Sequence, residues 1–375
     1  MKIEELLKVM VEKDASDIYL TAGFPPTYRV EGKTAPVAGE PLSPEVTERL
    51  AFSVMSEKQK AEFLEEKEMN LALHYPSLGR FRVSIFVQKS HISLVIRQIK
   101  LEIKTLDDLG MPPVLKDIAM TKRGLVLVVG ATGSGKSTTQ AAMIDHRNSN
   151  SPGHIITVED PIEFVHSHKL SVVNQREVGL DTLSFNSALK NTLRQAPDVI
   201  LVGEVRDTET MEAVINFAET GHLCLATLHA NNANQSIERV INFFHAERHE
   251  QIYQLLSLNL KAIVSQRLIP TEDGKRVAVL EVLLDTPRVK DLIQKKKIAL
   301  LKEAMKQGVQ EGMQTFDQAI YDCYIQGKIT YKTAIAYADS ANDVRLRIKA
   351  EGVGTHVEED AGKSAFKLRS EVSRT

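Results

Sequence analysis

Strict alternation marks residues 80–88, where Phe81, Val83, Ile85 and Val87 point one way and Arg80, Arg82 and Ser84 the other. A period of two is the pattern of a half-buried strand. Residues 91–99 repeat it, with Ile92, Leu94 and Ile96 on one face and Arg97 on the other. Upstream, residues 2–12 carry apolar side chains at helical spacing, and 17–20 and 27–30 read as short strands separated by Gly23, Pro25 and Pro26. Ser43 before Pro44 marks a helix start, since proline suits the first helical position. Ser56 with Gln59 three residues on predicts a capping box for the next helix. Residues 1–100 therefore read as a small α+β domain, and 101–113 as a linker containing Gly110, Pro112 and Pro113.

Beyond the linker the pattern changes to continuous apolar runs at 125–129, 155–158, 199–202 and 223–228, with helical stretches between them. Such runs suit parallel strands covered on both faces. A helix over 208–220 is expected to be capped by Thr208 and stopped by Gly221. The last third reads as helical, with Thr315 and Gln318 capping a helix that ends near Gly327. Residues 114–350 thus read as an α/β domain with C-terminal helices. Residues 351–375 are polar, charged and aperiodic, and are expected to be a disordered tail.

A length of 375 residues fits two domains and a tail, and 43% apolar residues can fill two cores. The net charge of −2 argues against a protein that coats nucleic acid. Cys224 and Cys323 offer no disulfide framework and read as reduced, buried thiols. The N-terminus has no apolar signal-peptide core. No run reaches the roughly 18 apolar residues needed to span a bilayer. The expectation is a cytoplasmic protein that does not insert in a membrane but can dock on a membrane complex.

The chemistry concentrates at Gly130, Ala131, Thr132, Gly133, Ser134, Gly135, Lys136 and Ser137, which satisfy the phosphate-binding pattern G-x-x-x-x-G-K-[ST] between an apolar strand and a helix-compatible run. The glycines let successive backbone N–H groups point inward as an anion nest. The following helix adds its positive end. Lys136 is expected to reach the β- and γ-phosphates and Ser137 to ligate Mg²⁺. From average residue usage the pattern arises by chance in about 1% of chains this long, before its context is required.

Acidic residues close the other apolar runs: Glu159, Asp160 and Glu163 after one, Glu204 and Asp207 after another. Ligands of parallel α/β sheets bind at those ends. Glu204 follows Gly203, which stands where a common Walker B strand has Asp. It is expected to hold Mg²⁺ through a water and to polarise the attacking water, with Glu163 as first choice of general base. His222 and His229 bracket one run and lie roughly 20 Å apart if it is extended, which excludes a shared metal. His229 falls at the phosphate end; by spacing, His222 reads as structural.

The runs GATGSGKST (130–138, ending in Thr138), ITVEDPIEFVH (156–166), APDVILVGEVRD (196–207) and GHLCLATLHANN (221–232) resemble the secretion-ATPase superfamily, in its type IV pilus retraction branch. The resemblance covers about residues 1–350. It implies a PAS-like α+β N-terminal domain followed by a RecA-like P-loop ATPase domain, ATP and Mg²⁺ as ligands, and a homohexamer. It also implies Glu163 as the catalytic glutamate, Glu204 as the Walker B glutamate, functional roles for both His222 and His229, and Arg82 and Arg97 as the N-terminal arginines that complete the site. The branch's PilT-type motors carry an Ala-Ile-Arg-Asn-Leu segment, where this chain has Arg288, Val289, Lys290, Asp291 and Leu292. Residues 312–318 and 338–349 look more like the PilU side. The resemblance therefore implies an accessory retraction ATPase acting with a PilT-like paralogue on an inner-membrane platform protein. The alternatives are a primary retraction motor, a nucleotide-binding scaffold without turnover, and a DNA translocase, which the near-neutral charge disfavours. A pilus assembly or type II secretion ATPase would carry a tetracysteine zinc site that two cysteines cannot build.

Overall fold

The computed structural model describes residues 1–30, 32–99 and 102–350. The expected tail at 351–375 lies outside the described residues. The chain divides into two compact units, one of Met1–Leu268 with Ala278–Thr315, the other of Ile269–Val277 with the residues from 316 onward.

The first unit opens with helix α1 (Ile3–Glu12), strands β1 (Asp17–Leu20), β2 (Thr27–Val30) and β3 (Lys33–Pro36), helices α2 (Pro44–Ser53) and α3 (Glu57–Glu66), and strands β4 (Glu68–Tyr75), β5 (Gly79–Gln88) and β6 (His91–Ile99). They form one six-stranded sheet in the order β3-β2-β1-β6-β5-β4, antiparallel at each pairing. The capping box is present: Ser56 Oγ accepts from the Gln59 N–H and Gln59 Oε1 accepts from the Ser56 N–H. Phe81, Val83 and Ile85 are fully buried with Ile18, Leu94 and Ile96. Val87 breaks the expected alternation. It is exposed, because the strand has passed the end of the core and turns at Lys89 and Ser90, both at positive φ.

The chain continues with α4 (Val114–Met120), β7 (Gly124–Val129), α5 (Lys136–Asn150), β8 (Gly153–Glu159), β9 (Ser171–Glu177), α6 (Phe185–Thr192), β10 (Val199–Val202), α7 (Thr208–Glu219), β11 (Leu223–Leu228), α8 (Ala233–Asn242), α9 (His249–Asn259), β12 (Leu260–Pro270) and β13 (Arg276–Leu284). The second sheet has the order β13-β12-β7-β11-β10-β8-β9, and the six strands from β12 to β9 are parallel to their neighbours. Both faces are covered, which is why β7 reads as an unbroken apolar run. Leu125, Leu127 and Val129 join the core on one face, and Val126 and Val128 the core on the other. Each such side chain stabilises the fold by about 1.5–3 kcal/mol relative to exposure.

The helical reading of the last third is corrected: residues 260–270 and 276–284 are strands. Polar residues interrupt the apolar pattern of β12, so neither period stood out. Strands β3, β4 and β9 were likewise not anticipated. The cap of α7 is also corrected. Asp207 Oδ1 accepts from the Thr210 N–H at 2.7 Å, while Thr208 donates its hydroxyl to the Phe243 carbonyl instead. Helices α10 (Pro287–Gln294) and α11 (Leu301–Gln307) complete the first unit. In the second, α12 (Phe316–Ile325), α13 (Tyr331–Tyr337) and α14 (Ala341–Ala350) pack around Tyr321, Val344 and Ile348. Cys224 and Cys323 are both free and buried. Among the described residues no helix is long and apolar enough to cross a membrane.

Candidate active site

The loop from Gly130 to Gly135 joins β7 to α5, so it stands at the carboxyl end of the parallel sheet with the α5 N-terminus behind it. Gly130 and Gly135 have positive φ and no room for a side chain. A Cβ on Gly130 would lie 2.5 Å from both the Gln266 carbonyl oxygen and Ser134 Oγ, and one on Gly135 would lie 2.8 Å from Gln266 Nε2. Ser134 Oγ is buried and has no hydrogen-bond partner among the described residues. A tight backbone cradle with an unsatisfied hydroxyl fits an anion rich in acceptor oxygens, as a polyphosphate is. Lys136 Nζ donates to the carbonyls of Gly130 at 2.8 Å and Ala131 at 3.0 Å, holding its ammonium over the loop. Burial lowers its pKa, and the nearby Glu204 carboxylate opposes that shift.

Three neighbouring strand ends supply the rest. Glu204, after β10, is mostly buried. Its two oxygens face His229 Nε2 and Arg206, both at 2.6 Å, and Arg206 also reaches Asp160 at 3.3 Å. The structure thus brings Lys136, Glu204 and His229 together from three adjacent strands, β7, β10 and β11. His229, Gly130 and Ala131 line one cleft of about 520 Å³. Gly203, in the place of the common Asp, is closely packed: a Cβ there would come 3.1 Å from the Glu159 Cα. Glu159 at the end of β8 accepts from the Thr157 hydroxyl at 2.6 Å and Gln175 Nε2 at 3.2 Å, and burial raises its pKa. Glu163 is exposed. Ser137 and Thr138, in the first turn of α5, lie open or half-open to solvent. Among the described residues no three His, Cys, Asp or Glu side chains are grouped to hold a metal.

The six-stranded sheet contributes an arginine row. Its register aligns Arg29, Asp17, Arg97 and Arg82 across β2, β1, β6 and β5. Asp17 is 2% exposed, and its Oδ1 accepts from Arg97 Nε at 2.8 Å. That bond is the chief cause of Arg97's raised pKa, and the Glu163 carboxylate adds to it. Glu177, which ends β9, is 3% exposed and lies 3.8 Å from Arg80. Burial raises the Glu177 pKa, while the Ile162 N–H and the charges of Arg82 and Arg80 pull it down. The arginines of one sheet therefore share an electrostatic field with acidic strand ends of the other. His222 stays apart, at the amino end of β11, with its ring against Thr220 and the Phe217 carbonyl.

Sequence reasoning missed Glu177, Arg80, Arg206 and Gln266. Arg206 was legible as part of the 196–207 run. Glu177 and Gln266 lie on β9 and β12, two of the strands that were not anticipated.

The family model of the type II/IV secretion system protein matches residues 1–336. The chain is 59% identical over 350 residues to the type IV pilus ATPase PilU of Pseudomonas aeruginosa, covering 93% of this chain and 92% of that protein. It is 42% identical to the PilT retraction ATPase of the same organism, covering 89% of this chain and 97% of that one. The crystal structure of the pilus retraction motor PilT with bound ADP superposes with a TM-score of 0.86 at 42% identity, over 92% of this chain and 99% of the other. The expected two-domain fold, PAS-like then RecA-like, agrees with that likeness.

Proposed function

Because the chain belongs to the type II/IV secretion system protein family, we propose that it is an ATP-hydrolysing motor of the type IV pilus machinery, an accessory retraction ATPase of the PilU kind. The observation that carries the catalytic part is the convergence of Lys136, Glu204 and His229 on the phosphate loop.

The loop N–H groups and the α5 N-terminus receive the phosphates, and Lys136 places a positive charge where negative charge builds during phosphoryl transfer. Half-burial strengthens that attraction relative to water. Glu163, an exposed carboxylate inside the field of Arg97, takes the proton of the attacking water. Ser137 and, through a water, Glu204 would hold Mg²⁺, which supplies charge neutralisation at the phosphate oxygens. His229 links the loop to Glu204 and reports the γ-phosphate to the Walker B strand. Arg82 and Arg97 stabilise the departing charge. In a homohexamer His222, remote from these groups in its own chain, acts on a neighbouring subunit's site. The domains we assign are residues 1–100 and 114–350 about a linker at 101–113. The motor docks at the cytoplasmic face of the membrane on the pilus platform protein, beside its PilT paralogue.

Arg97→Ala is expected to lower ATP turnover roughly tenfold. That is short of the effect of a fully desolvated arginine finger, because the side chain is 57% exposed and screened. Asp17→Asn should act in the same direction by releasing Arg97. Mixing Arg97→Ala with Lys136→Ala subunits tells whether the arginine serves its own site or its neighbour's. Unchanged phosphate release in Arg82→Ala and Arg97→Ala alike would return both arginines to surface charge.

The accessory role is tested by expressing the protein alone in cells lacking other retraction ATPases and imaging labelled pili. The expected result is little retraction alone, and more force when a PilT paralogue is restored. The substituted segment at Arg288–Leu292 motivates this: Arg288 and Lys290 are held locally, by Gln307 and Asp285 respectively. Fast, processive retraction by the protein alone would make it a primary motor.

A further inference from the structure

Strand β12 runs parallel to β7 with Ser265 opposite Val129, which sets Gln266 beside the start of the phosphate loop. Gln266 is 2% exposed, in a polar stretch, Ser265 to Arg267, that follows the buried apolar residues Ala262, Ile263 and Val264. A buried carboxamide must have its polar groups matched, so an apolar residue would be the easier choice there. One hydrogen bond and two close approaches engage it. Its Oε1 accepts from the Thr139 hydroxyl at 2.7 Å, on the first turn of α5. Its Nε2 is turned toward Gly135, 2.8 Å from where that residue's Cβ would stand. Its backbone oxygen abuts Gly130 at the loop's other end, 2.5 Å from the equivalent point. One residue thus crowds both ends of the loop, leaving no room for a side chain at either, and bonds to the helix that carries Lys136 and Ser137.

We propose that Gln266 is a positioning residue for the phosphate loop. It acts through the loop backbone, keeping the two glycines at the separation the anion nest requires, with the donor side of the carboxamide facing the loop and the acceptor side tied to Thr139. A preorganised nest binds without first having to be ordered, so the effect falls on nucleotide affinity more than on the chemical step. The proposal rests on the reading of residues 130–137 as a phosphate site. It adds a residue outside that motif which makes the motif work, on the strand that leads out of the first unit at Leu268.

Gln266→Glu is the informative substitution. It is isosteric, keeps an acceptor for Thr139, and replaces the amide nitrogen with an oxygen. Burial raises a carboxyl's pKa, so the group is neutral and can still donate at low pH, and becomes a carboxylate facing the anion site as pH rises. The full chain and the variant are compared by KM for ATP, kcat and thermal melting from pH 5.5 to 8.5, each value taken as a ratio to the parent at the same pH. The expected ratio of KM values is within about threefold at the acid end and rises at least tenfold toward the alkaline end, with kcat at saturation changed less. A packing role alone would give a KM ratio that changes with pH only where the variant's melting temperature falls with it. Gln266→Met, of similar volume and without a donor, covers the case in which the glutamate variant fails to fold; it should raise KM about tenfold at every pH. A folded variant with the parent's KM throughout overturns the proposal. Lys136→Ala, assayed alongside, separates the two ideas. If it loses turnover while the Gln266 variants do not change, the loop reading stands and the positioning role falls; if Lys136→Ala is also unaffected, the loop reading itself has failed.

Discussion

Alanine in place of Lys136 should reduce phosphate release about a thousandfold while leaving the melting temperature close to the parent's. The first half follows from where the ammonium sits. Nζ is held by the Gly130 and Ala131 carbonyls, on the loop itself and in the field of Glu204. Losing one preorganised charge from a desolvated phosphoryl-transfer site costs about a hundred- to a thousandfold by itself, and this lysine also contacts the ground-state phosphates. The second half follows from the direction of the pKa shift. Burial lowers the Lys136 pKa, so its environment disfavours the charged form and folding gains little from the charge. Phosphate release and a thermal melt on the same preparation check both halves. Normal release by a well-folded variant would remove the phosphate-site assignment.

Glu163→Gln is expected to cut turnover by roughly a thousandfold, within the range for loss of a positioned general base. Nucleotide affinity should survive, because a base acts on the transition state and not on the bound ground state. Stability should move by no more than about 0.5 kcal/mol, since the side chain is exposed and the substitution is isosteric. Glu204→Gln makes an instructive contrast. It should also stop turnover, but Glu204 is mostly buried and carries both His229 and Arg206, so its loss should shift the melting curve as well. Equilibrium binding of ATP, single-turnover hydrolysis and melting on the two variants separate the roles. If affinity collapses in Glu163→Gln while the residual complex still hydrolyses ATP, Glu163 is a binding residue and the base lies elsewhere.

The parts of the site that could be read directly are those whose function is local. A phosphate loop is built from the backbone of eight consecutive residues, so its glycines, its lysine and its flanking strand and helix all appear within one short stretch of chain. The strand ends at 159–163 and 203–207 were legible for a related reason: a strand covered on both faces is continuously apolar, and the first polar residue after it marks the sheet's edge. Helix caps were legible where the side chain can reach only its own first turn, as at Ser56, and misjudged by one residue at Asp207 and Thr208, where either can cap and a distant carbonyl, that of Phe243, claimed the threonine.

What the amino-acid order determined by itself, then, was the composition of each strand and loop and the kind of chemistry each can do. Which of those pieces meet was decided only by strand order and register. Strand β7 has β11 on one side and β12 on the other, though about a hundred residues or more separate it from either, and that order sets His229 and Gln266 on opposite flanks of one loop. Register in the other sheet aligned Asp17, Arg97 and Arg82, which are dispersed along the sequence and individually resemble ordinary surface charge. Buried polar residues such as Gln266 and Glu177 carry no mark in the sequence, because their partners come from segments far along the chain. Their burial is tolerable only once those partners are in place, and it is the tertiary structure that supplies them.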